Sequence, residues 1–323
     1  GQNTATISTL PAGNYSCTVT DANGCTQNSA NITINQPTQI FITTSNTSVS
    51  CNGGSDGTAT VNVSGGGSPY TYLWSNGATG ATAVGLSFGN YSCAITDANG
   101  CIVNSGNIFI SQPTPIVITT SNTSVSCNGG TNGTATVSVS GGGFPYTYLW
   151  NNGQTTAIAT GLISGNYNCN ITDVNGCTVN SGNIFVSQFL QIVITPSTNL
   201  VSCNGGNDGS ATVSISGGSF PYTYLWNNGQ TTATAIGLSF GSYNCTITDA
   251  NGCQVNSGNI LVNQPTPIVV TTSNTSVSCN GGNDGTATVT ASGGALNYTY
   301  LWSDGQITAT AIGLSTGNYT CII

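Results

Sequence analysis

Thirteen cysteines carry most of the chemistry this sequence offers. They fall into three sets, each stepping by 76 residues: Cys51, Cys127, Cys203 and Cys279; Cys17, Cys93, Cys169, Cys245 and Cys321; Cys25, Cys101, Cys177 and Cys253. Regularly placed thiols in a chain of small units point to cystines and an oxidising, extracellular setting. The opposing reading is a set of buried, reduced thiols. Aspartate is the other reactive type, with eight residues that make the whole formal charge of −8. There is no Lys, Arg, His, Met or Glu. That excludes acid–base catalysis by Lys, His or Glu, a Lys–Asn isopeptide crosslink, and the basic footprint of a nucleic-acid binder. No apolar run approaches the ~20 residues of a membrane span.

Seven of the eight aspartates sit in two registers; the eighth is Asp304, in Ser303-Asp304-Gly305. Asp21, Asp97, Asp173 and Asp249 each open an Asp-x-Asn-Gly-Cys unit. Asp56 lies in Gly53-Gly54-Ser55-Asp56-Gly57, a loop that could offer calcium a carboxylate and carbonyls. The equivalent residue in the next copy is Asn132, so the charge is dispensable and an Asx-type turn explains the residue. No aspartate has a second carboxylate or a histidine beside it in sequence. Neither an enzyme nor a metal or cofactor site is expected.

The elements that position these residues repeat on the same beat. Val-Ser-Cys-Asn-Gly-Gly opens at Val49, Val125, Val201 and Val277, and Tyr-Thr-Tyr-Leu-Trp opens at Tyr70, Tyr146, Tyr222 and Tyr298. A fixed period means an array of one structural unit. The chain of 323 residues holds about four and a quarter copies. The expected divisions are a partial copy at 1–37, whole copies at 38–113, 114–189 and 190–265, and a partial copy at 266–323. Gly1 matches Gly77 and Ile323 matches Ile95, so the expectation is a window on a longer array. Units this small need disulfides or neighbour contacts to supplement their cores.

In the copy 38–113, Ile40–Thr44 reads as a first strand continuing toward Val49 and Cys51. Thr58–Ser64 alternates strictly, with Ala59, Val61 and Val63 inward. Tyr70, Tyr72 and Trp74 share one face; inward packing is favoured over a sugar-binding platform. Asn76-Gly77 is a turn signal, and Thr79–Leu86 a further strand region. Tyr91, Cys93, Ile95 and Asp97 share a face of a hairpin closed by Asp97 against Cys101 through a left-handed glycine. Ile102-Val103 and Ile108–Ile110 form the last strand, and Gln112-Pro113 marks the boundary. No stretch has a helical period. The fold expected is all-β, a tandem array of immunoglobulin-like antiparallel β-sandwich repeats. The immunoglobulin match is partial, because Val61 stands where a mid-strand cysteine would partner Cys93.

In fixed order, Cys51-Asn52-Gly53-Gly54-Ser55-Asp56-Gly57, Ser64-Gly65-Gly66, Pro69–Trp74, Gly85-Leu86, Gly89-Asn90-Tyr91 and Asp97–Cys101 resemble the SprB-type repeat of large surface adhesins from Bacteroidetes. The resemblance covers essentially the whole chain. Two departures are Cys93, where the family has an aliphatic residue, and Ala295-Leu296-Asn297, which replaces the proline before Tyr298. The resemblance implies a cell-surface filament or thread, exported by the type IX route and linked to gliding motility or attachment.

The cysteine sets constrain pairing. If all copies are alike and bonds stay within the chain, only one kind of pair forms and one thiol per copy is left over. Cys93 points inward beside Tyr91 and Ile95, so it and its equivalents Cys17, Cys169, Cys245 and Cys321 are the candidates for buried free thiols. Cys93–Cys101 is disfavoured because the turn sets Cys101 opposite Asp97. Loop and hairpin cysteines remain. In an immunoglobulin-like path they lie at opposite ends of one unit, roughly 25–30 Å apart, against the 4.4–6.8 Å or so that a cystine spans between Cα atoms. Bonds from one copy to the next are therefore expected, Cys51–Cys177 and Cys127–Cys253. Cys203 and Cys279 would then need partners beyond this sequence or stay unpaired. The alternative, by another strand path, is a bond inside a copy such as Cys51–Cys101, with Cys25 in the same hairpin set.

The function expected is structural: a repeat segment that projects and spaces at the cell surface. Its partners are neighbouring repeats and possible further copies of the filament, with any external surface or glycan unspecified. The alternatives are a multivalent carbohydrate- or surface-binding array and a laterally self-assembling fibre.

Overall fold

The computed structural model describes residues 3–323, and among them there is no helix. In the copy 38–113 the strands are β1 (Phe41–Thr47), β2 (Gly57–Ser64), β3 (Thr71–Trp74), β4 (Thr82–Leu86), β5 (Gly89–Tyr91), β6 (Cys93–Thr96), β7 (Ile102–Asn104) and β8 (Ile108–Ile110). They form antiparallel sheets in the orders β1-β2-β4, β7-β6-β3 and β8-β5. This is the immunoglobulin division of strands, with the first, second and fourth strands in one layer and the third and the final hairpin in the other.

Alternation in sequence becomes burial in space. Along β2, Ala59 and Val61 are buried and Asn62 is exposed. Val61 faces a core that includes Trp74, Leu86, Cys93, Ile95 and Ile110. Tyr72 and Trp74 lie opposite Ile95 and Cys93 across the β3–β6 ladder, so the aromatic row faces inward and is no outward platform. The indole Nε1–H of Trp74 donates to the Gly80 carbonyl at 2.8 Å, which satisfies its one polar group inside the core. Gly57 permits a close approach: a Cβ there would lie 2.7 Å from Ile110 Cγ2 and 2.8 Å from the Leu86 carbonyl oxygen. The copy 190–265 repeats this core position for position, from Val201 through Trp226 to Val262.

Three features refine the expected strand path. β1 ends at Thr47; Val49 lies beyond it, buried, with its N–H donated to the Ser111 carbonyl at 2.9 Å. The turn at Asn76-Gly77 does not fold β4 back on β3. It hands the chain to the other sheet, where Ala83 pairs with Ala59 of β2. Finally, each arm of the last hairpin is broken once. The Ser105 hydroxyl accepts the Cys93 N–H, and the Ser105 N–H donates to the Cys93 carbonyl, both at 2.9 Å. That local irregularity separates the β7-β6 pairing from the β8-β5 pairing.

Backbone contacts divide the chain into two units, Gly1–Thr120 with Val137–Ala157 and Asn168–Asn183, and Ser121–Thr136 with Ile158–Tyr167 and Ile184–Ile323. The division does not follow the copies. The sheet of Thr147–Trp150, Cys169–Thr172 and Thr178–Asn180 belongs to the first unit, and the pair Gly165–Tyr167 with Ile184–Val186 to the second.

Candidate functional site: cystine joints between copies

Within the first unit, Cys51 is bonded to Cys177, with an S–S distance of 2.01 Å and Cα atoms 5.6 Å apart. Within the second, Cys127 is bonded to Cys253 at 2.05 Å, again with Cα atoms 5.6 Å apart. Each bond spans 126 residues and runs from the loop of one copy to the hairpin of the next. Cys101, the hairpin cysteine in the same copy as Cys51, is unbonded and exposed, as are Cys25, Cys203 and Cys279.

Each side of the joint is held by short-range polar contacts. On the loop side, the Asp56 carboxylate accepts the Ser50 N–H at 3.0 Å and the Ser50 hydroxyl at 2.5 Å. The Ser50 hydroxyl, and then its N–H, hold the Asp56 carboxyl below its ordinary pKa. Asn132 does the same work with an amide, accepting the Ser126 N–H at 3.0 Å and donating to the Ser126 hydroxyl at 2.7 Å. The position is thus a turn brace. Among the described residues no three His, Cys, Asp or Glu side chains gather as a metal cluster would require.

The loop also grips the boundary segment. Gly53 N–H donates to the Gln112 side-chain oxygen at 2.8 Å, and the Asn52 amide donates to the Pro113 carbonyl at 3.0 Å. Asn204 and Gly205 hold Pro265 and Gln264 in the same way. These clamp residues were missed by a reading of local pattern. Their signal was present, since Gln36, Gln112, Gln188 and Gln264 recur with the period.

On the hairpin side, Asp173 accepts the N–H groups of Gly143, Asn175 and Cys177 at 2.8–2.9 Å. Its carboxyl is held below the ordinary carboxylate range, by Gly143 first. Asp97 is held low in the same way, first by the Gly67 N–H and then by that of Cys101. This aspartate both caps its turn and latches the hairpin to the glycine loop before the aromatic strand. Gly100, at φ +82°, supplies the left-handed residue that the three-residue turn needs. The bonded Cys177 sulfur rests 3.4 Å from the Ser50 carbonyl oxygen.

Cys93, Cys169 and Cys245 are buried and unbonded, and burial pushes each thiol's pKa up. Two of the five expected buried thiols differ. Cys17 is exposed and Cys321 is partly exposed. Residues 13–34 form only two pairs of short strands, with no second layer over Cys17. Strand Cys321–Ile322 pairs with Leu301–Trp302 in a two-stranded sheet. Tyr91 stands two residues before Cys93 and donates its hydroxyl to the Ser87 carbonyl at 3.1 Å, the tyrosine-corner contact of immunoglobulin-like domains.

Copies of this two-layered arrangement at a 76-residue spacing define an array of immunoglobulin-like β-sandwich repeats. Residues 43–79, 119–155, 195–231 and 271–307 each match the model of the SprB repeat. Four SprB repeats thus recur along residues 43–307. Each match begins in the first strand and ends past the turn after the tryptophan, so it includes the loop cysteine and leaves the hairpin outside. No curated protein matches the chain. Among solved structures, similarity extends to three N-terminal domains of the highly immunogenic outer capsid protein of bacteriophage RB49, at 13% identity over 69% of this chain and 97% of that one, TM-score 0.36. The N-terminal eight Ig domains of DSCAM align at 12% identity over 90% of this chain and 56% of that one, TM-score 0.28. Extracellular domains 3–5 of Drosophila OTK align at 14% identity over 67% and 93%, TM-score 0.24.

Proposed function

We propose that this chain is a spacer segment of an extracellular surface filament of the adhesin type, and that its work is mechanical. The observation that carries the reading is the cystine that crosses each of two copy boundaries, Cys51–Cys177 and Cys127–Cys253. Structural cystines of this kind persist in oxidising, extracellular settings. They brace the joints between units, where a pulled thread of separate domains would otherwise yield. Near-identical copies suit a spacer, because they repeat a geometry and single out no recognition surface. Attachment or gliding as the process served, and type IX export as the route, follow from the family resemblance and belong to the same proposal.

The test is surface labelling. Antibodies raised against the purified chain are applied to intact, unpermeabilised producing cells and to lysed ones. Label along threads on intact cells is expected. Label confined to lysed cells would overturn the reading.

A further inference from the structure

A strand at the edge of a sheet presents unpaired backbone groups to any other strand that can reach them. In the copy 38–113, β4 is the outer strand of the sheet β1-β2-β4. Its ladder to β2 uses Ala81 and Ala83: the Ala81 carbonyl accepts the Val61 N–H at 2.9 Å, and Ala83 lies opposite Ala59. Alternation therefore turns the N–H and carbonyl groups of Thr82 and Val84 outward, away from β2.

In other copies side chains cover the groups at these places. The Gln230 side chain accepts the Ile236 N–H at 3.0 Å and donates to the Ile236 carbonyl at 2.8 Å. The Thr232 hydroxyl donates to the Thr234 carbonyl at 2.6 Å. The carboxamide thus stands where the peptide group of a neighbouring strand would be. Gln306 makes the same two bonds to Ile312, both at 2.9 Å, and Thr308 donates to the Thr310 carbonyl at 2.6 Å. The copy 114–189 has Gln154 and Thr156 at the same places in its sequence.

The copy 38–113 has Ala78 and Gly80 instead. Its backbone is held alike: the Trp74 N–H donates to the Ala78 carbonyl at 2.9 Å, as the Trp226 N–H does to the Gln230 carbonyl. What is lost is the pair of side chains that plug the edge. A methyl group and a hydrogen atom can neither donate nor accept. Val84 stands at this edge with its side chain 68% exposed. Residues 57–96 hold no charged side chain, so the usual electrostatic guard of an edge strand is missing as well.

We propose that this open edge pairs with the same edge of a second copy of the whole chain, antiparallel, across a two-fold axis through Ala83. Thr82 of each chain then faces Val84 of the other. Each of these two pairs exchanges both of its N–H···O bonds, so four hydrogen bonds cross the axis. Two three-stranded sheets become one of six strands. The choice of a second copy rests on self-complementarity: the edge carries donors and acceptors in equal number at the spacing its own reversal requires. The β-branched side chains of Thr82 and Val84 come side by side on the outer face. A two-fold contact uses one patch on both partners and is complete at two chains. The glutamine and threonine plugs keep the edges at Ile236 and Ile312 out of such pairing.

The proposal does not rest on the spacer reading. Label confined to lysed cells would leave this edge open, and a chain that stays monomeric would leave the spacer reading intact. The experiment uses the 323-residue chain, with exposed thiols capped by iodoacetamide and the cystines left in place. Analytical ultracentrifugation across a concentration series should show a monomer–dimer equilibrium. Ala78→Gln installs the plug that other copies carry and should raise the half-assembly concentration about a hundredfold or more. Ala78→Ser is too short to reach Val84 and should leave it unchanged. Hydrogen exchange in peptides spanning residues 81–86 should slow as the dimer forms, and should not slow in Ala78→Gln at the same concentrations. A monomer at every concentration, association that Ala78→Gln leaves intact, or equal weakening by Ala78→Ser would overturn the proposal. So would assembly beyond the dimer, or a dimer in which residues 81–86 exchange as fast as in the monomer.

Discussion

The two cystines interleave, and this predicts an unusual response to force. Consider handles at the two termini of a chain whose unbonded surface cysteines, Cys25, Cys101, Cys203 and Cys279, are changed to serine. Unbridged, Cys51 and Cys253 are separated by 202 residues. With both bonds present, the shortest covalent path crosses to Cys177, returns 50 residues along the chain to Cys127, and crosses to Cys253. At about 3.4 Å per extended residue the limit between Cys51 and Cys253 falls from about 690 Å to about 170 Å. Removing either bond alone leaves a path of 76 residues, which releases only about 90 Å. Removing both releases about 520 Å. Optical-tweezer extension of the fully unfolded chain, for Cys177→Ser, Cys253→Ser and the pair, measures these lengths. A strongly non-additive series is expected. Equal, additive increments would refute the interleaved pairing, because bonds confined to single copies hide their loops independently.

Three further outcomes are expected. Trp74→Ala empties the centre of one core and should destabilise the copy 38–113 by about 3–5 kcal/mol, read by denaturant unfolding of that copy. Asp97 and Asp173 are held below the ordinary carboxylate pKa by backbone N–H donors, so the charged form is favoured in the folded state. Their contribution is full above the unfolded value of about pH 4 and is lost as pH falls through the lower folded value. Thermal midpoints should therefore hold from pH 7 to 5 and drop below about pH 4, and Asp97→Asn should flatten the drop. In native buffer a maleimide should modify Cys101 and spare Cys93, Cys169 and Cys245; fast labelling of Cys93 would contradict its burial.

Much of this architecture was legible in the residues. The period gave the array, alternation from Ala59 to Val63 gave the buried face of β2, and Asp97-Ala98-Asn99-Gly100 gave a hairpin with its closing pair. What was not legible depends on partners distant in sequence. Nothing local to Asn76-Gly77 says that the next strand joins β2 rather than β3. The breaks at Ser92 and Ser105 appear only when both hairpin arms are in place, because one serine hydroxyl patches the ladder of the other arm. The Gln112 clamp joins a side chain to a backbone 59 residues away, outside any window of periodicity. Cys17 and Cys93 carry the same motif, yet only Cys93 has a second sheet over it.

The sealing of Cys93 sets an order of events for a folding chain. Three thiols per copy permit many wrong pairings, and the correct one joins residues 126 apart. Cys51 must wait until the hairpin of the following copy exists. By then its own copy can fold, and folding withdraws Cys93 from oxidation. Conformation thus comes first and covalent closure second. Each bond then marks two successive copies as correctly folded: a misfolded copy would expose its third thiol and fail to present its hairpin. A reductant–oxidant pair with an isomerase would act on such a chain as a proofreader, reopening only those joints whose neighbours had not yet settled.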